Sequence, residues 1–179
     1  MQARWTLYPG RSRLPDAASP DVRGRSHTIE AEVLLPGPSD GGVLIAHGDS
    51  VAGYALRIDG GRLVHHYVHR RRATTTMSSY DVPHGRLVHV QVRVARAGGA
   101  AEVTLMIDGL PAGVGTIPEM ARARTGYTGV DVGCDRGLTV GGYLAPARFT
   151  GHLSRVDVEG ADDQWLDHAA ALEIEGATQ

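Results

Sequence analysis

Val88-His89-Val90-Gln91-Val92-Arg93-Val94 is the stretch that decides the fold. Four valines alternate with His89, Gln91 and Arg93, a period of two that puts every valine on one face of an extended chain. On a helix the same residues would scatter around the cylinder. β-branched side chains also suit a pleated surface better than a helical turn. The segment is therefore a strand with one buried and one polar face.

The same pattern recurs outward in both directions. Ile29, Ala31, Val33 and Leu35 alternate with Thr28, Glu30 and Glu32 within Ser26 to Leu35. Val43 to His47 is a short apolar run. Tyr54, Leu56 and Ile58 alternate with Ala55, Arg57 and Asp59, and Asp59-Gly60-Gly61 reads as a hairpin turn into Arg62 to His69. Ala97-Gly98-Gly99-Ala100 turns the valine strand into Val103, Leu105 and Ile107, where Asp108-Gly109 ends it. Short strands are expected at Val130 to Gly133 and Leu153 to Val158. Strands at this spacing, separated by turns drawn from 24 Gly and 9 Pro, define an all-β antiparallel sandwich rather than βαβ units. The expected division is residues 1–160 as the sandwich and 161–179 as a tail. In that tail, Trp165, Leu166, Ala169 and Leu172 at helical spacing, behind Asp162 or Asp163 and before Gly176, predict a short helix over Asp162 to Glu175. Trp165 is expected to pack on the sandwich or on a second subunit of a homo-oligomer.

Composition narrows the function. A formal net charge of -2 over 179 residues leaves no basic face for nucleic acid. No apolar run is long enough to span a membrane, and the opening Met1 to Gly10 has no apolar signal core, so a cytoplasmic, stand-alone domain is expected. Cys134 is the single cysteine, so no internal disulfide can form.

Several segments carry a resemblance: Trp5-Thr6-Leu7-Tyr8-Pro9-Gly10, Arg25-Ser26-His27-Thr28-Ile29, Gly42 to Gly48, Asp131 to Gly137 and Phe149-Thr150-Gly151. In order and spacing they resemble the C-terminal accessory domain of bacterial arylsulfatases. The resemblance implies a concanavalin A-like jelly-roll. The sulfatase reaction belongs to a preceding catalytic domain with a Cys/Ser-x-Pro-x-Arg motif, which has no counterpart here. Cys134 is followed by Asp135-Arg136-Gly137, so sulfate-ester hydrolysis is not carried over.

The densest chemistry lies in Arg62 to Arg72. His65 and His69 share a strand face but stand about 13 Å apart, and His66 points the other way, so no two of the three chelate one ion as neighbours. Neither a metal nor a cofactor is expected. With Val64 and Val68 read as core, His65, Tyr67 and His69 fall in the concave groove, where Tyr54, Met77 and Tyr80 join them as candidate ligand contacts. A solvated sheet face is the competing reading. Arg70 to Arg72 read as a solvated hairpin end. His65, His69 and Tyr67 are the candidate catalytic groups of a cofactor-free cyclase or rearrangement enzyme of secondary metabolism, acting on a small, mostly apolar molecule held in one folded conformer. The alternative is a non-catalytic carbohydrate-binding or structural accessory module. Glu30 and Glu32 share a face at about 7 Å, but Ala31 stands where laminarinase-like jelly-rolls place an acid, so they read as solvent-facing side chains that keep the surface soluble, not as a glycosidase pair. Asp131 and Asp135 with Gly133 and Gly137 read as a turn, since two carboxylates fall short of a calcium shell. Ser26 and His27 lack a nucleophile elbow.

Overall fold

The computed structural model describes residues 3–10, 13–123 and 128–167. Eleven strands occur in them: β1 Ala3–Leu7, β2 His27–Leu34, β3 Gly42–Gly48, β4 Gly53–Asp59, β5 Arg62–His69, β6 Arg72–Asp81, β7 Leu87–Ala97, β8 Ala100–Ile107, β9 Leu110–Ile117, β10 Val130–Val132 and β11 His152–Gly160. They form two antiparallel sheets, a six-stranded one ordered β1-β11-β2-β7-β8-β9 and a five-stranded one ordered β10-β3-β4-β5-β6. This is the expected β-sandwich.

The core follows from parity. The valines of β7 are buried and face inward with Ile29, Ala31 and Val33 of β2 and Val103, Leu105 and Ile107 of β8. Opposite them lie Ile45, Tyr54, Leu56, Ile58, Leu63 and Tyr67 of the five-stranded sheet. A second, smaller apolar cluster of Val43, Ala46, Ala55, Val68 and Val140 lies on the other face of that sheet, with Tyr143 and Ala147 packed against it. The chain after β10 forms this outer layer. It is pinned by Phe149 N–H to the Gly133 carbonyl at 3.0 Å and by Val43 N–H to the Ala147 carbonyl at 3.1 Å.

That second cluster corrects the face assignment of β5. Val68 belongs to the outer layer, not to the space between the sheets. Val64 shares its parity, while Leu63, His65 and Tyr67 share the inward one. Both faces of β5 are covered, so its apolar residues could not tell which side was interior.

The expected helix is also corrected where it can be seen. Asp162 to Asp167 is not helical. Asp163 does not cap a helix; its carboxylate accepts Ser26 N–H at 2.9 Å and Ser26 Oγ–H at 2.6 Å. Trp165 N–H donates to the Gly24 carbonyl at 2.8 Å, and the Arg122 guanidinium lies 4.3 Å from the centre of its indole ring. Trp165 thus docks on its own chain. Residues 168–175 of the expected helix lie outside the described residues.

Candidate functional site

The outward face of β2 carries Glu30 and Glu32 one pleat apart. Its neighbours are in register: Glu30 stands opposite Gln91 on β7 and Asp157 on β11, and Glu32 stands opposite His89. On β11 the pairing slips between Leu153 and Val156. Ser154 and Arg155 therefore share the single partner position of Glu32, which is a β-bulge. The bulge bends the edge of the sheet and opens a hollow of about 210 Å³ lined by Glu30, Ala31, Glu32, His89, Ser154, Arg155 and Asp157.

A polar row crosses four strands beside it, and Glu30 and Asp157 of that row line the hollow. Thr6 Oγ–H donates to Asp157 Oδ1 at 2.6 Å, and Arg155 Nε–H donates to Asp157 Oδ2 at 2.8 Å. Gln91 Nε2–H donates to Glu30 Oε2 at 3.0 Å, and His89 Nε2 lies 3.5 Å from the same oxygen. These bonds hold Glu30 and Asp157 in fixed orientations. The exposed Glu32 carboxylate, the Ser154 hydroxyl and the outer nitrogens of Arg155 remain directed to solvent. The hollow thus presents acceptors and donors side by side on a rigid sheet. Sequence reading had set Glu30 and Glu32 aside. The signal that β2 and β7 alternate was present, but nothing local showed that β11 closes the other side with a bulge.

The groove residues expected from sequence are placed differently. Tyr54, His65 and Tyr67 do share a face, with Tyr54 and Tyr67 in register. That face is the interior: they are 0%, 1% and 6% exposed. Tyr67 accepts the Ala121 N–H at 2.8 Å. Desolvation drives His65 down to about 3, with the positive field of His27 as a smaller cause, so it is a neutral imidazole at neutral pH. His69 lies at the strand end, 3.5 Å from Glu119, and burial lowers its pKa. Met77 points away from the interior and is half-exposed, and Tyr80 at the end of β6 reaches toward the Leu110 carbonyl at 3.4 Å. The six are not one site. His27 and His47, which sequence reading left out of it, do pack on Tyr54, with ring centres 6.2 and 5.5 Å away.

Asp131, in β10, and Asp135, in the turn that follows, both have carboxylates engaged by hydrogen bonds. Asp131 accepts from Arg13 at 2.6 Å and from Arg136 N–H at 3.0 Å, and Asp135 accepts Tyr143 O–H at 2.7 Å. Gly133 between them holds φ +73°. Among the described residues no group of three His, Cys, Asp or Glu side chains is placed to hold a metal ion.

With this geometry the molecule has the fold of the jelly-roll β-sandwiches. No protein-family model matches the chain, and no curated protein matches it. Solved structures do. CBM40 of the Ruminococcus gnavus IT-sialidase, solved bound to α2,6-sialyllactose, shares the fold at TM-score 0.60 and 14% identity, over 94% of this chain and 97% of that one. Domains LG4-5 of the mouse laminin α1 chain match at TM-score 0.57 and 17% identity, over 90% of this chain and 43% of that one. The heptameric SAP-like pentraxin of Limulus polyphemus matches at TM-score 0.51 and 16% identity, over 94% and 79%. The chain thus spans less than half of the laminin structure and nearly all of the CBM40 one. At these identities the likeness establishes the fold. None of the three is an arylsulfatase domain. No helix among the described residues is long and apolar enough to cross a membrane.

Proposed function

We propose that this domain is a non-catalytic carbohydrate-binding module and that the hollow at the β11 bulge is its contact surface. The observation that carries this reading is the fixed row Thr6–Asp157–Glu30–Gln91 with Glu32, Ser154 and Arg155 left open beside it. A sugar presents hydroxyls that donate and accept at close spacing. Carboxylates supply acceptors, guanidinium and amide groups supply donors, and preorganisation lowers the ordering cost of binding. Glycan-binding relatives in fold support this reading over the cofactor-free cyclase, whose groove residues Tyr54, His65 and Tyr67 are enclosed between the sheets. It is also compatible with an accessory role of the kind the arylsulfatase resemblance implies.

The test is a glycan array followed by calorimetry on the best ligand. Glu32→Ala and Arg155→Ala are each expected to weaken that ligand by about tenfold or more, the loss of one charge-assisted hydrogen bond. Both sit on the surface and leave the fold intact. Failure of the wild-type protein to bind any glycan, or binding unaffected by both substitutions, rejects the proposal.

A further inference from the structure

Beneath the opposite rim the interior is not purely apolar. His27 on β2, His47 on β3, Tyr54 on β4 and His65 on β5 are each no more than 2% exposed. The Tyr54 ring packs against those of His27 and His47. His27 Nε2, His47 Nδ1 and Tyr54 Oη are all buried with no hydrogen-bond partner among the described residues.

The tautomers define what these atoms want. His27 Nδ1 lies 3.0 Å from the Arg25 carbonyl. A carbonyl only accepts, so Nδ1 carries the hydrogen. Burial holds His27 neutral, down to about 4, so its Nε2 is a bare acceptor. His47 Nε2 faces the Asp16 carboxylate at 2.9 Å and donates to it, leaving Nδ1 open. Tyr54 brings an O–H, kept protonated because burial raises its pKa. Buried polar groups in native proteins are almost always satisfied, by protein or by an enclosed guest. Three such atoms, on Tyr54 and on the two rings packed against it, point to one shared cause.

We propose that this cluster is an internal binding site for a small, neutral, hydroxyl-bearing guest: water, or a hydroxylated small molecule of similar chemistry. The guest's O–H donates to the bare imidazole nitrogen of His27, and its oxygen accepts from Tyr54. No chelated cation is called for, because among the described residues no three His, Cys, Asp or Glu side chains converge as one would require. The way in is a rim hollow of about 220 Å³ lined by Asp16, Ser19, Asp21, Arg23 and His47, which shares His47 with the cluster. This site is independent of the hollow at the β11 bulge.

Tyr54→Phe separates a filled site from a dry one. It deletes the hydroxyl and keeps the ring. If a guest accepts from Tyr54, the variant loses a hydrogen bond and melts lower, by about 2–4 °C for a chain of this size. If the hydroxyl is dry, removing an unsatisfied group raises the melting point. The wild-type protein supplies a second measurement. Water–protein NMR contacts to the ring protons of His27 and His47, long-lived enough to register as bound, support the proposal with water as guest. Dry ring protons together with a hydroxylated compound released on denaturation and identified by mass spectrometry support it with that compound as guest. A higher-melting Tyr54→Phe, or dry ring protons with nothing released, overturns it.

Discussion

Tyr67 is 6% exposed, and its hydroxyl accepts the buried Ala121 N–H at 2.8 Å. The ring fills the space between the sheets, and the oxygen fastens the chain that follows β9. Truncation therefore has two costs. Tyr67→Ala removes a large core aromatic, a loss of about 3–5 kcal/mol. Tyr67→Phe keeps the packing but strands the Ala121 N–H, at about 1–3 kcal/mol. Urea unfolding should show both losses in that order. A neutral Tyr67→Phe would mean that the Ala121 N–H finds another acceptor. His66, one residue earlier, faces the outer layer. Its Nδ1 lies 3.1 Å from Thr75 Oγ, and its ring lies 5.6 Å from that of Tyr143. Sequence parity correctly grouped His65 with Tyr67 and separated both from His66. It could not name the inward group, because Val64 and Val68 are as apolar and as buried as interior residues.

At the level of elements, interior strands were legible, and of the edge strands β1, β6, β9 and β10 only β10 was. β2, β7 and β8 carry strong alternation because only one face meets the core, whereas β4 and β5 are buried on both faces. β6, Arg72 to Asp81, is an edge of the five-stranded sheet and reads as a polar run with Thr74-Thr75-Thr76 at its centre. β9 holds Pro111, Gly113 and Gly115, residues that argue against a strand unless it lies at an edge. Its glycines answer to β6. A Cβ on Gly113 would stand 2.6 Å from the Met77 carbonyl oxygen, and one on Gly115 would meet the Thr76 side chain. Only bare backbone lets these two edges pack against each other. Gly113→Ala should accordingly destabilise the fold by about 1–3 kcal/mol, since backbone must move to admit the methyl; a calorimetric melt at unchanged midpoint would show that the edges are not in contact. The β5–β6 turn gives the opposite forecast. Arg70 and Arg71 hold φ of 51° and 64°, the left-handed conformation that two-residue hairpins demand and that Asn-Gly supplies without strain. Arg71→Gly relieves that strain and leaves the Arg70–Glu119 ion pair of 3.0 Å in place. Stability should rise by about 0.5–1 kcal/mol in the same melts. The bulge that opens the candidate hollow left no mark in Leu153 to Val158, because one extra residue in a strand shows only when its partner is known.

For the whole molecule, the interior histidines couple the fold to pH. Desolvation holds His27 down to about 4 and His65 down to about 3, against an ordinary value near 6.5 in the unfolded chain. Between those limits the unfolded state binds protons that the folded state refuses, so stability falls as pH falls. The effect begins near pH 6.5 and continues to pH 4 and below, at roughly 1 kcal/mol per pH unit for each of the two groups. His66, also lowered to about 4 by burial, adds in the same direction. The carboxylates act further down. Asp21 and Asp163 hold their pKa below 3.8 through bonds from Arg23 and Gln164, and from Ser26, against the opposing cost of burial. Their contribution is intact above that value and is lost only as pH drops through the lowered one. The loss between pH 6.5 and 4.5 therefore belongs to histidine. Urea midpoints measured from pH 7.5 to 4.5 should be level above pH 7 and descend steadily below 6.5. His65→Gln cannot take up that proton, so the slope in its titration should shrink by the share of one group even where its stability at pH 7 differs from wild type. An equal slope in variant and wild type would mean that His65 is protonated inside the fold, and that the sandwich around it admits charge.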